Sequence, residues 1–93
     1  MGMGARRRPK HLAAKLKEIR DGLGLSQGEL VKQLELSEYM HRGKISEYER
    51  GEREPDMLTL LAYADAAGVC LKVLIDDRLK LPSKLPATPK HKP

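Results

Sequence analysis

The sequence contains neither tryptophan nor phenylalanine, and its 3% aromatic content is three tyrosines. Apolar residues make up 40% of the chain, chiefly leucine, isoleucine, valine and alanine, with little β-branching. Such a set favours packed helices over a sheet, whose pleated surface is best filled by aromatic and β-branched side chains. The single cysteine, Cys70, excludes an internal disulfide framework and suits a reducing cytoplasm. Apolar runs extend only a few residues, so no membrane span is expected. The opening MGMGARRRPK is basic but leads into no apolar stretch, so no secretory signal is expected either.

Catalytic signatures are missing as well. His11, His41 and His91 stand far apart, and there is no HExxH, no cysteine pair, no glycine-rich phosphate loop and no nucleophile elbow. The expectation is a non-enzyme with no cofactor and no metal. Ninety-three residues suffice for one small domain, which buries only roughly 60% of its unfolded surface.

What the chain does have is charge, unevenly placed. Of 18 basic residues, four (Arg6, Arg7, Arg8, Lys10) fall in 1–10 and five (Arg78, Lys80, Lys84, Lys90, Lys92) in 78–93, with no acid in either segment. That leaves nine basic residues against all 13 acidic ones, a net charge of −4, in 11–77. The net +5 therefore sits in the tails, which either attract phosphate non-specifically or are simply solvated.

Residues 1–8 show no apolar pattern and are expected to be a disordered basic arm. Pro9 suits the first turn of a helix, where its missing N–H costs nothing. Leu12, Leu16, Ile19 and Leu23 then recur at helical spacing, with Lys15, Lys17, Glu18 and Asp21 on other faces and Gly22 and Gly24 as the stop. Ser26 followed by Glu29 is a capping box for a second helix, with Leu25 placed as a hydrophobic staple on Leu30 and with Leu30, Val31 and Leu34 inward.

Gly43 weakens any helix through it by about 1 kcal/mol relative to alanine. A turn over 36–41 and a helix over about 42–50 is therefore preferred to one continuous helix from Ser37 to Arg50. Ile45 and Tyr48 face inward, and Gly51 is the left-handed terminus. Asp56 caps a fourth helix with Leu60, Leu61 and Ala64 inward, stopped by Gly68. Cys70 sits at the cap of a short fifth helix through Asp76, with Leu71, Leu74 and Ile75 inward. It is expected to be buried or capping rather than a redox switch. Beyond it, LKLPSKLPATPKHKP has prolines and no helical period, so 78–93 is a Pro/Lys-rich extended tail along which Leu79, Leu81 and Leu85 can touch the domain. The predicted fold is all-α, a compact five-helix domain over 9–77 with flexible basic tails.

GLSQGEL, ISEYERGEREP and LLAYADAAGV stand at distances that resemble the lambda-repressor-like, Cro/C1-type (XRE family) helix-turn-helix domain across residues 12–76. The resemblance implies five helices, with the third entering the major groove of DNA. Residues at the start of that helix project to base edges. Here these are Arg42, Gly43 and Lys44, then Ser46 and Glu47: Arg42 and Lys44 can donate to guanine, Ser46 can bond either way, and Glu47 can accept from cytosine N4. Basic residues at a helix N-terminus oppose the dipole, which favours a polyanionic partner over simple solvation.

By the same resemblance Gln27 bonds a phosphate. With Ser26 and the amides of that helix start it forms a small anion site. Arg50 and Arg53 are further phosphate candidates, diluted by Glu52 and Glu54. Arg20, seven residues before Gln27, matches the arginine that pairs with the glutamate at Glu49, and this pair is read as structural. His41 falls where the family often caps with serine or threonine, and histidine is a poor cap. The stretch from Leu34 to Ile45 is longer than the family's.

The expected partner is double-stranded DNA, bound by a homodimer because one acidic monomer neutralises few phosphates. Leu58 and Val73 are candidates for the dimer face. A transcriptional regulator of the cytoplasm and nucleoid is the leading expectation. A protein-interaction module, such as an antitoxin or a coactivator bridge, is the alternative.

Overall fold

The computed structural model describes residues 7–86, and these fold into five α-helices with no strand among them. Helix α1 spans Leu12–Leu23, α2 Gln27–Gln33, α3 Arg42–Glu49, α4 Met57–Ala67 and α5 Leu71–Ile75. The expected all-α, five-helix class is the one observed. The expectations for residues 1–6 of the arm and 87–93 of the tail lie outside the described residues.

Helix α1 is the hub, packing against α3, α4 and α5, while α2 pairs with α3 and α4 with α5. Its apolar stripe Leu12, Leu16, Ile19 and Leu23 is fully covered. It meets Leu30, Val31 and Leu34 from α2 and its end, Ile45 and Tyr48 from α3, Leu60, Tyr63, Ala64 and Ala67 from α4, and Leu74 from α5. Each large aliphatic buried this way contributes about 1.5–3 kcal/mol, so the helical period alone specifies most of this core.

The start of α1 differs from expectation. The helix begins at Leu12, not at Pro9, because the chain has not yet turned helical at His11 (φ −106°, ψ 7°). The backbone N–H groups of Lys10 and His11 instead donate to the carboxylate of Asp77, at 2.8 and 3.1 Å. Lys15, assigned to an outer face by its charge, is buried. Its ammonium donates to the carbonyls of Val73 and Asp76 at 2.8 and 3.1 Å, at the C-terminal end of α5. The start of α1 and the end of α5 therefore cap one another, with charges of the sign each helix end favours.

Between α2 and α3 the chain makes a turn. Glu35 adopts φ 61°, the N–H of Leu36 donates to Val31 O, and the N–H groups of Tyr39 and Met40 both donate to Leu36 O. The first bond meets a carbonyl of the last turn of α2, the other two close the turn over 36–40, and α3 starts only at Arg42. Asp56 caps α4 by accepting from Thr59 N–H at 2.8 Å. Gly51 follows α3 with φ 74°, a conformation that costs a glycine nothing.

Four expectations on the last two helices are corrected. Leu61 is 43% exposed and Ile75 44% exposed, because the buried stripes run through Leu60, Tyr63, Ala64 and Ala67 on α4 and through Leu74 on α5. Val73 is half-buried, so Ile75 is the outward apolar residue of α5. Cys70 holds the N-cap position of α5 but is exposed, and its thiol makes no cap bond. Residues 78–86 form no helix or strand, yet Leu81 and Leu85 pack on the core from outside. Leu85 lies where a side-chain carbon on Gly22 would sit 3.0 Å from it.

Candidate nucleic-acid interface

Helices α2 and α3 hold the candidate surface, and a buried ion pair sets their angle to α1. Arg20, on the last turns of α1, donates from Nε to Glu49 Oε2 at 2.6 Å and from Nη2 to Glu49 Oε1 at 3.0 Å. Its Nη1 donates to the carbonyl of Leu25 at 3.0 Å. The two side chains are 15% and 5% exposed. Three charge-assisted bonds from one planar guanidinium thus join α1, the α1–α2 turn and the last residue of α3. The carboxylate raises the pKa of Arg20 above its ordinary value, chiefly through the hydrogen bond. Beneath it Tyr63 is fully buried, and its hydroxyl has no hydrogen-bond partner among the described residues. Burial, followed by the charge of Glu49, pushes that phenol's pKa well up, so it stays neutral.

Gln27, the first residue of α2, is half-buried and donates from Nε2 to Glu49 Oε1 at 3.3 Å. Glu49 is therefore shared by Arg20 and Gln27, and one N–H of the Gln27 amide remains for another acceptor. Ser26 completes the capping box: its hydroxyl accepts from Glu29 N–H at 3.1 Å and its own N–H donates to Glu29 Oε1 at 2.8 Å. The hydrogen bond from the Ser26 backbone N–H is the chief cause of a lowered pKa at Glu29. The box places a carboxylate at the same helix start where an anion site is expected, which reduces its attraction for phosphate.

Helix α3 starts in an unusual way. His41 is its N-cap, and Nδ1 accepts from the N–H of Gly43 at 3.1 Å. The expectation that histidine caps poorly is corrected: the imidazole folds back over the helix start because nothing projects from Gly43. A side-chain carbon at 43 would lie 2.8 Å from His41 Cε1. Gly43 is thus explained by the ring above it.

The charged and polar candidates on α3 and just past its end divide into two groups. Arg42 is exposed and Lys44 half-buried, and neither has an ion pair among the described residues. Lys44 lines a groove with Leu36, Tyr39, Met40 and Leu58, between the α2–α3 turn and the start of α4. The remaining four are tied up in pairs. Arg50 forks onto Glu52, with both bonds at 2.8 Å, and also donates to Ser46 Oγ. Arg53 donates from Nε to Glu47 Oε1 at 2.7 Å. The Arg50–Glu52 hydrogen bond raises the arginine's pKa and lowers the glutamate's. These pairs are exposed and individually weak, but they halve the positive charge that this surface would otherwise present.

Sequence reasoning missed Lys15 and Asp77. A lysine beside Leu16, and one turn from both Leu12 and Ile19, lies at the edge of the apolar stripe by spacing, but its charge argued for solvent. Nothing local announces that Asp77 caps a helix 66 residues away.

No curated protein matches this chain. The helix-turn-helix domain family matches residues 11–76, from just before α1 to just past α5. With most of its length covered and the five helices in place, the chain belongs to the helix-turn-helix domain family.

Proposed function

We propose that the chain is a sequence-specific DNA-binding regulator of transcription, of the Cro/C1 (XRE) type, that inserts α3 into the major groove. The observation that carries this reading is the Arg20–Glu49–Gln27 network. It clamps the end of α3 to α1 and α2 and leaves Arg42 and Lys44, at the other end, without carboxylate partners among the described residues. A groove about 12 Å wide accepts one helix by its N-terminal residues. Arg42 and Lys44 are assigned to guanine or phosphate, Ser46 and Glu47 to base edges, and Ser26, Gln27, Arg50 and Arg53 to phosphates. Gly43 is assigned to close approach of the backbone.

The dimer belongs to the same reading. Met57 and Leu58 are 78% and 77% exposed at the start of α4, with Leu61 on the same face. Pairing this face in a second copy brings two reading helices to one duplex. The domain over 9–77 carries the DNA contacts in this scheme, and the protein works at the nucleoid. The same apolar face also supports the second reading, a protein-interaction module such as an antitoxin or a coactivator bridge.

Selection of bound sequences from a random duplex pool tests the proposal. The expected outcome is an enriched palindrome with half-sites one helical turn apart, roughly 34–36 Å. Absence of duplex binding at low salt removes the DNA reading. Stable co-purification with a second protein, without such binding, leaves the interaction module.

A further inference from the structure

We propose that Arg7, Arg8 and Lys72 form a basic track, starting beside Arg53 just past the end of α3, that grips duplex phosphates flanking the half-site read by α3. This inference rests on the DNA-binding reading above and adds to it a second contact surface.

Two neighbouring hollows define the track. In the first, Arg8, Pro9 and Lys10 meet Gly51, Arg53, Glu54 and Pro55, immediately past the end of α3. In the second, Arg7 and Arg8 meet Lys72, Ile75 and Arg78 at the end of α5. Arg8 and Pro9 line both, so they form the ridge between them. The basic segment ahead of α1 therefore runs from the exit of the reading helix towards α5, and Asp77 holds the backbone of Lys10 and His11 in that course.

Availability of charge supports the same conclusion. Arg20, Arg50, Arg53 and Arg78 each engage a carboxylate, whereas Arg7, Arg8 and Lys72 are exposed and have no ion pair among the described residues. Three carboxylates line the same hollows: Asp76 is engaged by Arg78, Asp77 by the two backbone N–H groups, and Glu54 is not free either. With 11–77, Lys72 included, carrying a net charge of −4, Arg7 and Arg8 outside it make a disproportionate contribution to attraction for a polyanion. The C-terminal lysines are placed differently. Lys80 and Lys84 belong to a stretch of chain laid over another face of α1, where Glu18 and Asp21 line the same hollows. The two basic segments are therefore not equivalent.

The test compares full-length wild type with Arg7→Ala/Arg8→Ala, Lys72→Ala, Lys80→Ala/Lys84→Ala and Arg42→Ala/Lys44→Ala. Anisotropy titrations use a labelled duplex covering one helical turn and a longer duplex with added flanks. The arm variant is expected to lower the slope of log K against log salt by about 1.8, and Lys72→Ala by about 0.9, since each phosphate contact contributes roughly 0.9. Between about 50 and 200 mM salt the arm variant then loses about 12-fold less affinity than wild type. It also no longer prefers the flanked duplex, while Lys80→Ala/Lys84→Ala behaves as wild type. Equal losses from the arm and tail variants would reduce the effect to bulk charge and overturn the proposal. An arm variant that binds duplex as wild type does, while Arg42→Ala/Lys44→Ala weakens binding, overturns the track and leaves the reading helix standing. Wild type that binds no duplex at low salt removes both. Capture of a glutamate-rich peptide by wild type but not by the arm variant, with duplex affinity unchanged, assigns the surface to a protein and overturns the proposal.

Discussion

The ammonium of Lys15, on α1, lies 2.8 Å from the carbonyl oxygen of Val73, on α5. The Asp76 carbonyl, which Lys15 also reaches, has a second donor in the N–H of Leu79. Lys15→Met keeps the length of the side chain and removes the donor. Leaving a buried carbonyl unmet costs about 1–3 kcal/mol, against which the mutant avoids desolvating an ammonium. We expect a net loss of about 1–2 kcal/mol in urea unfolding. A variant as stable as wild type shows that the desolvation cost of the lysine cancels its bonds.

Asp77 gives the clasp its pH dependence. The hydrogen bonds from Lys10 and His11 N–H lower its pKa in the folded state. The same sense applies to Asp56, through Thr59 N–H, and to Glu29, through Ser26. A group whose folded pKa lies below its unfolded one stabilises fully above the unfolded value, about 4 for these carboxylates. That contribution is lost as pH falls through the lowered folded value. Stability is expected to be flat on the carboxylates' account near neutrality and to decline below about pH 4. Asp77→Asn should be less stable at neutral pH and lose less on acidification, as read by thermal melts across pH. Parallel curves for the two proteins would sink this account.

Arg20→Ala removes one side of a pair whose carboxylate is nearly inaccessible to water. Breaking such a pair from one side costs about 3 kcal/mol, a large fraction of a small domain's stability. Thermal denaturation is expected to move down by well over ten degrees, roughly 4–8 °C per kcal/mol for a domain of this size. Duplex binding should fall even at temperatures where the variant is folded, because Glu49 and Gln27 no longer fix α3. An unchanged melting temperature removes the structural role.

Glu52→Gln releases the fork of Arg50 without adding a cation. Under the DNA reading, duplex affinity should rise and the salt slope should steepen by about 1. Unchanged affinity would mean that Arg50 does not reach a phosphate.

Gly43→Ala sets two effects of similar size against each other. Alanine is better than glycine within a helix by about 1 kcal/mol. The new carbon, however, meets His41 Cε1 at 2.8 Å, and displacing that ring forfeits a cap worth about 1 kcal/mol. The single variant is expected to be nearly neutral. Adding His41→Ser restores a cap that needs no room over residue 43, so the double variant should gain about 1 kcal/mol over wild type in urea unfolding. A single variant that already gains the full amount shows the imidazole cap to be unimportant.

Most of the architecture was legible in the sequence. Leu12, Leu16, Ile19 and Leu23 announce α1 by period, Ser26 and Glu29 its successor by their capping box, and Asp56 and Gly51 bound α4 and α3 by conformational preference. These are local signals, carried by residues within a turn or two of each other. Leu61 and Ile75 misled because apolar residues in succession on α4 and α5 leave the period ambiguous, and packing chose the face. His41 misled because average capping preference does not foresee a glycine that makes room for a ring.

Local chemistry alone thus determined that this chain forms five helices, that Ser26 and Asp56 cap α2 and α4, and that its excess positive charge lies outside 11–77. Only the tertiary structure decided which charges remain available. Arg53 with Glu47, Arg20 with Glu49, and Asp77 with the start of α1 are separated by 6, 29 and 66–67 residues. Electrostatic and hydrogen-bond energies depend on distance in space over a few ångströms, and sequence separation carries no information about that distance until the helices have packed.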